Sequence, residues 1–178
     1  MHWGLEYKLK QNKSQEQLAK FLINQGVDLI IGAHPHVVQP SQIVTDSITN
    51  RKHLIVYSLG NFVSNMSAAN TDGGQMISVT LKKTGWKTQI ESCGNLLFYT
   101  QQKRINNKID FTLIPVSMAE KSSELSETDF IELDSMTYNK MMRFTNNARD
   151  LFRQYNVEVN EYRFLSEKPK EDYYCNFK

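Results

Sequence analysis

The chain of 178 residues carries 21 lysines and arginines against 19 aspartates and glutamates and is 40% hydrophobic, with a mean hydropathy of -0.50. That length suits one ordinary domain with its own core, and the composition excludes a disordered chain and any bilayer-length apolar run. Near-neutral charge, with basic residues grouped only at 8–13 and 103–108, lacks the electrostatic footprint of a nucleic-acid binder, so each basic group reads as a solvated face.

Residues 1–13 show no charged, apolar and cleavage regions of a secretory signal, and read instead as the end of a strand running into a loop. Met1 to Tyr7 sets aromatic, glycine and ionisable residues side by side with no lead-in. The expectation is a piece of a larger structured domain. A helix follows over residues 14–25, with Ser14 as N-cap, Gln17 completing a capping box, Leu18, Phe21 and Leu22 facing inward, and Gly26 ending it. Residues 27–32 form a continuously apolar run, expected as a strand buried on both faces, and Ala33-His34-Pro35-His36 lies just past its C-terminal end. That edge is where ligands bind in open α/β sheets.

Residues 42–45 and 53–58 read as a hairpin around a polar turn at 46–52, and residues 64–74 as a surface loop able to border a site. Period-two alternation predicts strands at 76–81 and 86–91 around a Lys83-Thr84-Gly85 turn, with further strands at 96–100 and 109–115. From Ser126 the composition turns helical, and Met136, Lys140, Phe144, Ala148 and Phe152 mark one face of a long helix ending near Tyr155. The fold class is therefore α/β, with mixed and antiparallel sheet and a C-terminal helix. Two units are expected, 1–118 as the main domain and 119–178 as a helical extension packing on it. Cys93 and Cys175 match no zinc spacing and read as two free thiols, with a disulfide between them left open.

Three of the four histidines fall in two short motifs. His34 and His36 flank a rigid proline at a strand exit, which aims two imidazoles toward one cavity, a donor set suited to zinc, iron or manganese. His2 is accompanied by Gly4, which lets backbone approach closely, and by Glu6, a carboxylate able to orient an imidazole or position a water. His53 opens an ordinary strand and reads as structural. Ser58 and Asn61 either contact a ligand or shape the Gly60-Asn61 turn.

Four stretches, His2 to Tyr7, Gln17-Leu18-Ala19, Gly26 to Val37 and Tyr57 to Val63, closely resemble the bacterial poly-γ-glutamate capsule-synthesis family in residues, order and spacing. The resemblance covers about the first 65 residues. It implies a metallophosphatase-like α/β/β/α sandwich, of which this chain would supply the C-terminal part. It also implies divalent ions, dinuclear in a complete protein and manganese, iron or zinc in kind. His2 and His34 would bind a first metal and His36 a second. Apart from the resemblance, His36 and Glu6 are the candidates to carry catalysis, and Asn61 and Ser58 the candidates to bind substrate if they do more than shape their turn.

Family members place a Gly-Asp motif and an Asn-Asn-His motif upstream of the stretch that resembles His2, and neither occurs here. A chain without the bridging carboxylate and the asparagine ligand is expected to bind metal weakly and to be catalytically weak or inactive alone. The partners implied are that N-terminal half or other capsule-synthesis membrane proteins, and a polymer or phosphoester substrate, with no nucleic acid. The location implied is the cell envelope.

The leading expectation is part of a metal-dependent, phosphoesterase-like hydrolase in capsule or envelope polymer synthesis. The competing one is a non-catalytic binding or assembly module of a polymer-synthesis complex. An amidohydrolase barrel also uses His-x-His but needs about 250 residues and eight alternating units, which this chain lacks.

Overall fold

In the computed structural model, which describes residues 1–66, 68–120 and 130–162, helix α1 spans Lys13–Asn24. Its capping box forms two residues earlier than expected. The Asn12 side chain accepts from the Gln15 amide at 2.9 Å, and the Asn12 amide donates to the Gln15 side chain at 2.9 Å. This choice carries Gln15 inside, where its Nε2 donates to Gln39 Oε1 at 2.9 Å. The inward face of α1 is accordingly Gln15, Ala19, Leu22 and Ile23, whereas Leu18 and Phe21, expected inside, are 37% and 57% exposed.

The first sheet has the order β1-β3-β2. β1 (Leu29–Ile31) runs parallel to β3 (Lys52–Val56), with Ile30 opposite Ile55. β2 (Ser41–Thr45) pairs antiparallel with β3 as the expected hairpin. The turn is set by Asp46, whose carboxylate accepts from the amides of Ile48 and Thr49 at 2.8 Å each. One face of the sheet, with Ile30 and Ile55, packs on α1 together with Trp3, Ala19 and Tyr57. The other, with Ile43, Leu54 and Val56, meets Ile77, Val79 and Cys93 of the second sheet. β1 was expected to be buried on both faces. Only Ile30 is, because the second sheet covers β2 and β3 and leaves Leu29 and Ile31 each 37% exposed.

The second sheet runs β4-β5-β6, with β7 (Asn160–Glu161) parallel to β5. β4 is Gly73–Thr84, β5 Lys87–Ile105 and β6 Lys108–Pro115. The two strands expected at 86–91 and 96–100 are thus one long strand. A register shift at Thr80/Leu81 leaves Glu91 without an opposite residue. Such a bulge breaks the period-two pattern that a sequence reading follows, while the backbone continues.

After the short helix α2 (Val116–Ala119), α3 (Ser135–Tyr155) lies along the face of β5 that carries Leu97 and Tyr99. That is the face that also carries Cys93, so the first sheet and α3 sit side by side on it. α3 buries Met141, Phe144, Ala148, Leu151 and Phe152 against Val38, Leu97, Tyr99, Ile114 and Val116. Of the expected stripe, Phe144, Ala148 and Phe152 are inside, while Met136 is 67% exposed and Lys140 is exposed. A strict four-residue step advances 400° per repeat, so it walks around a helix of 3.6 residues per turn, and mixed three- and four-residue spacing keeps to the core. The predicted helical residues 126–129, the tail from 163 and Cys175 lie outside the described residues. Among those described, no helix is long and apolar enough to cross a membrane.

Arg149 ties the helical elements to the sheet. Its Nη2 donates to Glu120 at 2.9 Å, past the end of α2, and its Nε to Glu161 of β7 at 2.8 Å. These hydrogen bonds, Glu120 first, raise its guanidinium above the ordinary arginine range.

Gly32, between β1 and the two clustered histidines, is enclosed by other backbone. A Cβ there would lie 2.2 Å from the Tyr57 carbonyl oxygen and 2.4 Å from Trp3 Nε1, the two atoms that hydrogen-bond each other at 2.8 Å. Gly32→Ala is expected to destabilise the fold by about 3 kcal/mol, the upper end for overpacking. Chemical denaturation checks it. Wild-type stability in the variant would show that the Trp3–Tyr57 contact does not hold this corner.

Candidate metal centre

The histidine-bearing segments meet because residues 1–3 lie beside the exit of β1. Ala33 N donates to the Met1 carbonyl at 2.8 Å and Trp3 N to the Ala33 carbonyl at 3.1 Å, a parallel bridge between His2 and Ala33. Trp3 turns inward, 8% exposed. His2 turns outward, and its ring centroid lies 4.2 Å from that of His34. Farther on, Tyr7 N donates to the Pro35 carbonyl at 2.8 Å, which folds residues 4–7 over the His34-Pro35-His36 turn.

One donor atom each from Glu6, His34 and His36 lie within 4.8 Å of one another, with Glu6 exposed and both histidines half-buried. The Glu6 carboxylate is 3.9 Å from His36 Nε2. At that separation and exposure an ion pair contributes little by itself. The rings of His34 and His36 are 6.1 Å apart, and Tyr7 stacks near His36 at 6.2 Å. Tyr7, His34 and His36 all have left-handed backbone, with φ of 63°, 105° and 59°. Holding a non-glycine residue there costs about 1–3 kcal/mol. Three such residues within one turn and the loop above it concentrate local strain where the donors converge.

Asn61 fixes how His36 presents its ring. The Asn61 amide donates to the Thr71 carbonyl at 2.9 Å, which orients the group so that its oxygen faces His36 Nδ1, also at 2.9 Å. An acceptor at Nδ1 selects the neutral tautomer with its proton there. Nε2, on the side of Glu6, keeps its lone pair.

The structure therefore brings together Glu6, His34 and His36, with His2 against His34 and Asn61 behind His36. Ser58 is set apart: it is 1% exposed, and its hydroxyl accepts from the Gly60 amide at 3.2 Å. His53 is buried, with Nδ1 2.9 Å from the Val27 carbonyl. Sequence reasoning missed the Gln15–Gln39 pair, in which Gln39 Nε2 also donates to the carbonyls of Lys8 and Lys10 at 2.8 and 3.1 Å and pins the loop above the site. No motif marks two distant glutamines as partners. Beside Tyr7 an open groove of about 730 Å³ runs between that loop and α3, lined by Leu5, Lys8, Leu151 and Tyr155 among others.

The tautomer assignment is open to direct measurement. Nitrogen NMR at a pH well above the ordinary histidine range should show His36 protonated at Nδ1, with that preference lost in Asn61→Leu. The Nε2-protonated form in the wild type would contradict this geometry.

Residues 1–66, the stretch that holds all of these donors, match the family model described as bacterial capsule synthesis protein PGA_cap. The chain is similar to the PGA biosynthesis protein CapA of Bacillus subtilis (strain 168), 38% identical over 84 residues, a match spanning 47% of this chain and 20% of that protein. It is equally similar to the capsule biosynthesis protein CapA of Bacillus anthracis, 38% identical over 84 residues, covering 47% of this chain and 19% of that protein. The matched stretch is thus about a fifth of either relative's length. No solved structure matches. Across residues 1–66, the segment that builds the candidate centre, the chain is similar to the bacterial capsule synthesis protein family PGA_cap.

Proposed function

We propose that this chain provides the imidazole side of a divalent-metal centre in a hydrolase of capsule or envelope polymer synthesis, acting on a polymer or phosphoester at the cell envelope. The observation that carries the proposal is the convergence of Glu6, His34 and His36 within 4.8 Å, with His2 against His34. Two or three neutral imidazoles and a carboxylate form a donor set suited to manganese, iron or zinc, and a single free Nε2 lone pair on His36 fits that role. Three clustered donors fall short of the four that zinc takes and the six common for manganese, so water or donors from another polypeptide segment complete the shell.

A bound divalent ion would polarise a phosphoryl or carbonyl oxygen and lower the pKa of water. The chain's own groups serve that chemistry by position. Glu6, half exposed at the lip of the cluster, would offer one carboxylate oxygen to the ion and the other to the proton of an attacking water, and His36 holds its ring fixed against Asn61. Tyr7 covers one side of His36, and the adjoining groove, with apolar walls and Lys8 at its rim, receives the non-reacting part of the substrate.

Titration of the purified chain with manganese, zinc and iron, beside a His34→Ala, His36→Ala double variant, tests this reading. The expected result is stoichiometric binding by the wild type and at least about a hundredfold weaker binding by the variant. Absence of binding by the wild type, or equal binding by both proteins, would overturn the assignment.

A further inference from the structure

At the opposite end of the first sheet from the histidines, two hairpin tips carry the most exposed apolar side chains among the described residues. The β4–β5 ribbon closes through a two-residue turn, Gly85-Trp86, with Gly85 at φ 60°. Glycine at the first central position and a positive φ there is the arrangement that lets strands turn tightly, and the second position has no cross-strand partner. Trp86 occupies it and is 100% exposed. The β2–β3 turn next to it presents Ile48, 91% exposed. Thr49 and Arg51 of that turn border the same hollow as Trp86 and Lys87.

The charged groups around the tips are five cations and four anions, most of them paired. Lys82 pairs with Glu91 at 3.2 Å, Arg51 with Asp28 at 2.6 Å and Lys52 with Glu158 at 3.3 Å. The Asp46 carboxylate is turned back onto the amides of its own turn. Lys83 and Lys87 have no ion-pair partner among the described residues and stand on either side of Trp86 in sequence.

An indole that is wholly in water costs solubility and makes no contact to the fold. Tryptophan is the side chain that partitions best into the boundary between lipid headgroups and acyl chains, and lysines beside it are drawn to anionic headgroups. A β-branched aliphatic at the neighbouring tip adds apolar area to the same end of the molecule. We infer that the Trp86 and Ile48 tips dock the protein onto an anionic lipid surface, with Lys83 and Lys87 meeting the headgroups. Arg51 is tied to Asp28, the residue before β1, whereas His34 and His36 follow its other end. A molecule seated on these tips therefore presents the candidate metal centre away from the bilayer.

This inference stands independently of the hydrolase reading, because neither tip touches the histidine cluster. The test uses the full chain with phosphatidylglycerol–phosphatidylcholine vesicles and with phosphatidylcholine vesicles alone, by co-sedimentation and tryptophan emission. Trp3 is buried and hydrogen-bonded, so a blue shift on adding lipid reports Trp86. Anionic vesicles should sediment the protein and shift its emission, neutral ones should do so weakly, and added salt should reverse binding. Trp86→Ser and the Lys83→Gln, Lys87→Gln double variant should each bind at least about fivefold more weakly, with metal titration unchanged. No sedimentation at low salt, or equal binding by Trp86→Ser, would overturn the inference. So would a concentration-dependent emission shift without lipid, which would identify a second copy of the chain as the occupant.

Discussion

The backbone pairing of residues 1–3 with the exit of β1 is the constraint on which the candidate centre depends. Two hydrogen bonds, Ala33 to Met1 and Trp3 to Ala33, set His2 beside His34. They hold only because Gly32 has no side chain where Trp3 Nε1 reaches the Tyr57 carbonyl. From that anchor the chain turns back over the His34-Pro35-His36 segment, and the bond from Tyr7 to Pro35 delivers Glu6 to His36. Burial of one indole, close approach at one glycine and the placement of four polar side chains are thus one structural event.

The loop above the site is held in a complementary way, by buried amides. Gln15 both caps α1 and reaches Gln39, and Gln39 clasps the carbonyls of Lys8 and Lys10. These bonds use backbone atoms of the loop, so the side chains of Leu5, Tyr7 and Lys8 stay free to line the groove. Buried amides with satisfied partners specify one loop conformation, at the expense of an apolar contact that α1 would otherwise make there. That substitution also explains why Leu18 and Phe21 of α1 face outward.

Much of this was legible in the sequence. The strand-exit histidines, the hairpin turn at Asp46 and the antiparallel second sheet follow from short-range patterns of apolar and turn residues, which act over a few positions. Glu6 was recognisable as a carboxylate in the company of His2, although its actual neighbour is His36. What the sequence hid is long-range or cumulative. The bulge at Glu91 breaks the alternation of β5 without ending the strand. The slow drift of a four-residue stripe around α3 carries Met136 to the outside. The partial exposure of Leu29 and Ile31 depends on how far the second sheet extends, which no local pattern encodes. Asn61 was visible only as a ligand contact or a turn residue, since its engagement with both His36 and Thr71 appears when residues far apart in sequence meet.

A metal centre at this corner of the fold requires imidazole nitrogen to be available to the ion. X-ray absorption at the zinc edge of the chain loaded with one equivalent of zinc measures that directly. A first shell with at least two imidazole nitrogens at about 2.0–2.1 Å is the predicted result. A shell made of oxygens alone would contradict it, and would mean that Glu6, His34 and His36 are neighbours without being ligands.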